Sequence, residues 1–347
     1  QLLQTALVLG IFSSASVYVT GSRADLWVGY PGTQSVNLGR PIDAGVEMRI
    51  RMDPDVLRVE PYRWVDADWR GTQDTGGVSV FVSGIDADPQ GLMFARLLPG
   101  SLRARLNEPG AVIVDRADLD SLGLDPGNAA TINGHRVHVV GVISGLRALG
   151  GVNVIASLAT ARQLDTSADT DRITYWVAKV RDSSQADAVA ARIDGSPAFG
   201  KYAVWTAAQF SYRSQMHWMF DTGAGAGVLF LAVIVFLVGA VITSQTLVAA
   251  VIGSIREYAT LNALGVGVTS LRKVVMEQAF WVGALGLLGS TGLTGLFFAL
   301  AHYYNVPMTL SPVAALACLL LNMTLALVSG LAAMHSLRHA DPASLLR

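Results

Sequence analysis

The chain has 347 residues, 52% hydrophobic and 15% charged, with a net charge of −1 and a mean hydropathy of +0.43. Soluble domains average about 25% charged residues, so a purely soluble protein is excluded, as is a disordered chain. A single cysteine, Cys318, excludes an intramolecular disulfide scaffold, and the balanced charge lacks the basic excess of a nucleic-acid binder.

In chain order, residues 1–20 (QLLQTALVLGIFSSASVYVT) come first, uncharged and about long enough to cross a bilayer. A secretory signal peptide is the rival reading. The segment begins without Met, without a basic flank and without a clear A-x-A site, so a retained transmembrane helix is favoured, with the true N-terminus expected upstream.

Residues 21–221 carry 20 basic and 23 acidic side chains, an ordinary soluble density. Residues 77–85 and 110–115 read as strands rich in β-branched residues. Residues 117–124 read as a short helix ended at Gly123. Asn133-Gly134, between two β-rich runs at 129–143, is the signature of a type I′ hairpin turn. Residues 157–164 and 184–193 read as helices, with a strand at 174–180 between them. The segment is therefore an α+β domain, of one lobe or two. Chemistry is sparse in it. His135 and His138, three apart on a strand, fall on opposite faces and make a poor shared metal site. The aspartates at 66, 68, 86, 88, 165, 169 and 171 match no calcium-loop pattern. No G-x-S-x-G or H-E-x-x-H occurs. Trp64 and Trp69, near an expected turn at Pro61, are read as core residues, with a ligand surface as the alternative.

No Asp, Glu, Lys or Arg occurs in the 34 residues from 222 to 255, nor in the 60 residues from 278 to 337. The first gap holds a span at 222–251, opened by Gly223, Gly225 and Gly227, which mark either a flexible junction or a weak helix start. The second gap holds most of a span at 274–301, a short loop at 302–310 and a last span at 311–334, followed by a tail at 335–347. Spans without charge offer no ion or proton path, and no inverted repeat is evident. Gly283, Gly286, Gly289, Gly292 and Gly295 recur every three residues, forming an inclined small-residue groove on one span. That groove is either a helix contact able to slide or ordinary close packing.

Between the second and third spans, 252–273 contains SIREYATLNAL. Its Tyr258, Leu261 and Leu264 recur at helical spacing, so a short amphipathic helix is expected, ended by Gly265 and Gly267, with Thr269 or Ser270 capping the next helix. Such a helix lies on a membrane surface or docks in a partner's groove. Arg256, Arg272, Lys273, Arg338 and Arg347 flank the spans on one side, while 302–310 has no Lys or Arg. The positive-inside rule then makes 252–273 and the tail cytoplasmic and turns 21–221 outward. The expected fold is a membrane protein of four transmembrane α-helices with a large α+β periplasmic domain inserted between the first and second.

This layout resembles the MacB/FtsX-like superfamily of ABC transporter permeases. Arg256-Glu257-Tyr258-Ala259-Thr260-Leu261-Asn262-Ala263-Leu264-Gly265 is similar to the family's R/K-E-x-x-x-L-x-A-[IL]-G signature. Asp341-Pro342-Ala343-Ser344-Leu345-Leu346-Arg347 is similar to its D-P-x-x-x-L-R ending. Ala24-Asp25-Leu26-Trp27-Val28 resembles the start of the periplasmic core domain in the DevC-like branch, and the 134–143 strand sits where that domain has G-x-x-x-x-V-V-G-V. The resemblance covers essentially the whole chain. It implies a two-lobed outer domain and a coupling helix at Ser254, Ile255, Arg256, Glu257, Tyr258, Leu261, Leu264 and Gly265. That helix would dock on an ABC ATPase present in two copies. It further implies a homodimer, a periplasmic adaptor and an outer-membrane channel. No G-x-x-x-x-G-K-[ST] motif occurs in the chain, so ATP and magnesium belong to the partner ATPase and no cofactor or metal to this chain. The implied function is non-catalytic mechanotransmission at the bacterial inner membrane. It would serve export of a hydrophobic or amphipathic substrate such as a lipid, glycolipid, haem or drug. The alternative is an FtsX-like regulator of a periplasmic hydrolase that moves no substrate.

Overall fold

The computed structural model describes residues 6, 10, 12–71, 77–124, 129–149, 151–167, 173–194, 201–253, 260, 268–303 and 312–337. The chain divides into two compact units, residues 11–224 and residues 1–10 with 225–347.

The first unit opens with residues that sequence reasoning placed in a membrane span. The helix through Phe12–Ser14 breaks at Ala15 and Ser16, and a separate turn, α1 (Val17–Thr20), follows. Tyr18 and Val19 are buried in the domain core, where Tyr18 packs edge-on to Trp64 and Phe94. Residues 12–20 are thus not one continuous helix, and aromatic packing holds the last turn in the domain core.

In chain order the unit then contains β1 (Leu26–Gly29), α2 (Val46–Arg51), β2 (Val56–Arg70), β3 (Val78–Ile85), α3 (Gly100–Ala104), β4 (Ala111–Asp115), α4 (Leu119–Leu122), β5 (Ala129–Ile132), β6 (His135–Ile143), β7 (Val152–Ser157), α5 (Leu158–Leu164), β8 (Tyr175–Val180), α6 (Ala186–Ile193), β9 (Ala203–Thr206) and α7 (Ala207–Met216). A π-helical turn, His217–Asp221, extends α7.

β2 organises the fold. At 15 residues it extends roughly 50 Å, long enough to serve two sheets. Its first half, Val56 to Tyr62, pairs with β8, which pairs with β1 and, through it, β9, all antiparallel. Its second half, Arg63 to Trp69, pairs with β3. From β3 the pairing passes to β7, β4, β6 and β5, and β5 returns to β2 at Trp69 and Arg70, closing a six-stranded ring. Pro61 therefore lies inside a strand and not in the expected turn. It sits just before the change of partner from β8 to β3, where a missing N–H donor is tolerated.

Three apolar clusters follow from strand alternation. Val65, Ala67 and Trp69 of β2 join Val80, Val82, Val112, Val114 and α5 residues Ala161 and Leu164. Tyr62 and Trp64, one residue out of phase, join Trp27, Tyr175, Trp205 and Phe210 in an aromatic cluster that also takes in Tyr18 and Phe94. On the four-stranded sheet, Leu26, Val28, Trp176 and Ala178 meet Val46 and Ile50 of α2 and Val189 and Ile193 of α6. Trp64 and Trp69 are both core residues, and the Trp69 indole donates to the Leu122 carbonyl at 2.9 Å.

Asn133 and Gly134 have φ of 49° and 82°, the two left-handed residues a type I′ turn requires. Asn133 also accepts from the Asp68 amide at 2.9 Å and donates to the Leu164 carbonyl at 2.8 Å, tying the hairpin to β2 and α5.

The second unit contains three long helices: α8 (Ala224–Gly253), α9 (Val268–Tyr303) and α10 (Pro312–Leu337). Among the described residues, two stretches are long and apolar enough to cross a membrane, Gly225–Thr246 and Ala284–Ala301. α10 occupies the stretch where the last span was expected. α9 already includes Val268, so Thr269 and Ser270, expected as caps, lie inside it. α9 and α10 pack against each other.

Candidate functional site

The expected ATPase-coupling residues Ser254, Ile255, Arg256, Glu257, Tyr258, Leu261, Leu264 and Gly265 lie outside the described residues, as does the 338–347 tail. The glycine row is on α9. Gly286, Gly289, Gly292 and Gly295 are exposed, and a Cβ built on any of them meets nothing within 4 Å. Close packing against the described residues therefore does not explain these four positions.

The outer domain holds its charges in structural pairs. Asp53, 6% exposed, accepts a two-pronged bond from Arg192, both arms 2.9 Å. This holds its carboxyl below the usual carboxylate range. Arg63 Nη1 meets Asp165 Oδ2 at 2.8 Å, with both side chains largely buried. Glu60 accepts from the Leu92 amide at 2.7 Å and pairs with Arg58, yet burial pushes its carboxyl up. Arg103 is buried without a carboxylate at hydrogen-bond distance; it donates to the carbonyls of Asp86 and Met93, pinning the 86–93 loop. His138 Nε2 lies 3.3 Å from Glu108 on the surface. Among the described residues no group of three His, Cys, Asp or Glu side chains is arranged to hold a metal ion.

Sequence reasoning missed one concave feature. A groove of about 680 Å³ runs along α7 and its π turn, facing the 32–34 loop. Gln209, Tyr212, Arg213, Met216, His217, Phe220 and Asp221 line it, recurring at three and four residues as one helix face. Trp205 floors it, stacked on Phe210 with ring centroids 5.0 Å apart. The Arg213 guanidinium lies 5.6 Å above the Trp205 ring and donates to the Thr33 carbonyl at 3.4 Å. His217 Nδ1 meets Asp221 Oδ2 at 3.0 Å. The spacing of these residues was readable; the loop that faces them, with Thr33 lying 180 residues before Arg213, was not.

Two helical stretches long and apolar enough to cross a membrane, in one chain with a folded α+β unit, are the architecture of a membrane protein with a large extramembrane domain. Residues 3–196 match the MacB-like periplasmic core domain, and residues 229–342 match the FtsX-like permease C-terminal family. The chain belongs to the MacB/FtsX-like superfamily of ABC transporter permeases, inner-membrane proteins with a periplasmic domain. Among solved structures, the periplasmic region of MacB from Actinobacillus actinomycetemcomitans is similar at 12% identity and a TM-score of 0.38, covering 56% of this chain and 94% of that one. The extracellular domain of the noncanonic ABC-type transporter YknZ from Gram-positive bacteria gives 13% identity and 0.36 over 53% and 100%. A domain of a putative permease from Porphyromonas gingivalis gives 12% and 0.33 over 52% and 88%. No curated protein matches the sequence.

Proposed function

We propose that the chain is the mechanotransmitting permease of an exporter, in which an ATPase bound at 254–265 drives motion of the outer domain. The observation that carries this reading is the order of the two family matches, outer domain then permease region, in one polypeptide. The R-E-x-x-x-L-x-A-L-G run at Arg256–Gly265 supports the docking position. With no phosphate-cradling G-x-x-x-x-G-K-[ST] in the sequence, nucleotide is bound elsewhere. Four spans, the fourth supplied by residues near the start, complete the membrane part. Two copies meet along the exposed glycines of α9, and an adaptor and outer-membrane channel continue the path. The two membrane-length apolar stretches, Gly225–Thr246 and Ala284–Ala301, carry no charged residue, which suits a hydrophobic or amphipathic cargo.

Gentle detergent purification of the tagged chain from its native host, followed by mass spectrometry, tests this. An ABC ATPase together with an adaptor is expected. An ATPase with a periplasmic hydrolase instead of an adaptor would overturn export in favour of the regulator. Absence of any ATPase would overturn the reading altogether.

A further inference from the structure

The groove along α7 is unlike the rest of the outer domain's surface. Tyr212 and Phe220 are 65% and 60% exposed, in a domain whose other aromatics are mostly buried. Such exposed apolar surface marks an interaction site. Its position is set by the chain itself. Asp221 is four residues before Gly225, where the first of the two membrane-length apolar stretches begins, and four residues reach about 14 Å at most. The last lining residue is therefore within about 14 Å of chain of that apolar stretch. Its charge is asymmetric. Asp221, the acid that lines it, is taken by His217. Among the described residues Arg213 has no carboxylate partner; the Thr33 carbonyl engages one of its five N–H donors. Trp205 beneath the guanidinium holds it flat by cation–π attraction. A planar guanidinium with free donors suits phosphate, and an aromatic and methionine face below it suits an acyl chain.

We propose that this groove is a binding site for an anionic phospholipid of the outer leaflet, its phosphate on Arg213 and its chain against Tyr212, Met216 and Phe220. The site goes beyond the export reading and needs only that the domain stand on the periplasmic side. It ties the foot of α7 to the membrane surface by an interaction that zwitterionic lipid matches poorly.

The test uses the full chain in nanodiscs of phosphatidylcholine containing a minor share of phosphatidylglycerol. Tyr212 is replaced by the photocrosslinker benzoylphenylalanine, and the attached lipid is identified by mass spectrometry after illumination. Phosphatidylglycerol should be attached about tenfold above its share of the bilayer, the scale of a charge-assisted hydrogen bond. Arg213→Gln should abolish that enrichment and Arg213→Lys retain part of it. Exposed Phe220 serves as a second crosslinker position if the Tyr212 replacement fails to fold. Attachment in proportion to bilayer composition, enrichment unchanged by Arg213→Gln, attachment to a second copy of the chain, or no lipid adduct from either position would each overturn the proposal.

Discussion

Arg192 closes both arms of its fork on Asp53 and also reaches Asp55 at 2.6 Å, joining α6 to the turn before β2. Arg192 raises no cavity question, because its effect is electrostatic. Asp53 is held below its ordinary range, first by the Arg192 hydrogen bonds. It thus adds stability above the usual aspartate range, and that stability is lost as pH falls through the lowered folded value. Arg192→Gln should lower the melting temperature near neutral pH, and the gap from the natural protein should narrow in acid; tryptophan-fluorescence melts across pH read both. Arg63→Ala is a harsher change. It leaves Asp165 facing a buried site without its partner, a loss of about 3–5 kcal/mol, measurable as a fall in the denaturation midpoint. Legibility divides the same way. Asn133-Gly134 could be read from two adjacent letters because a type I′ turn is a local demand. Arg63–Asp165 and Arg192–Asp53 join residues 102 and 139 apart, and nothing near either arginine announces its acid.

Elements separate into those made by their own sequence and those made by neighbours. α7 is set by its own sequence, although sequence reasoning placed no helix there: Thr206 accepts from the Gln209 amide while the Gln209 side chain accepts from the Thr206 amide, a complete capping box. Thr206→Ala should cost about 1 kcal/mol, seen as a lower melting temperature of the domain. Spans were expected at 222–251, 274–301 and 311–334, and α8, α9 and α10 occupy those stretches, because an unbroken apolar run is visible in the sequence itself. β2 was not readable, because its role comes from changing partners at Tyr62 and Arg63, a property of remote strands. α1 was misjudged for a related reason. Tyr18 and Val19 look as suited to lipid as to a core, and only Trp64 and Phe94 decide. Gly223, at φ 75° and just ahead of α8, shows that the glycines opening that helix include a real left-handed break. On α9, Gly289→Ile and Gly292→Ile place side chains where the described residues offer no atoms within 4 Å of the Cβ. The variants should fold normally but lose self-association, read by crosslinking in membranes. Unchanged self-association would mean those glycines face lipid.

The whole molecule joins an outer domain of two linked sheets to an apolar helical unit. Both connections of the domain converge: Gln215 on α7, the exit, donates to the Ser16 hydroxyl, the entry, at 3.0 Å. On the proposed mechanism, motion delivered through either connection would be shared with the other across this contact. The source of that motion is the central claim, and it rests on a segment legible only in sequence, the 254–265 run. Its most direct test is the ATPase rate of the purified complex in nanodiscs, comparing the natural chain with Leu261→Pro. A proline there breaks the amphipathic helix without touching the outer domain. The account requires that the natural chain stimulate its ATPase and that the variant, folded and inserted to the same level, fail to do so. Equal stimulation by both chains would contradict it.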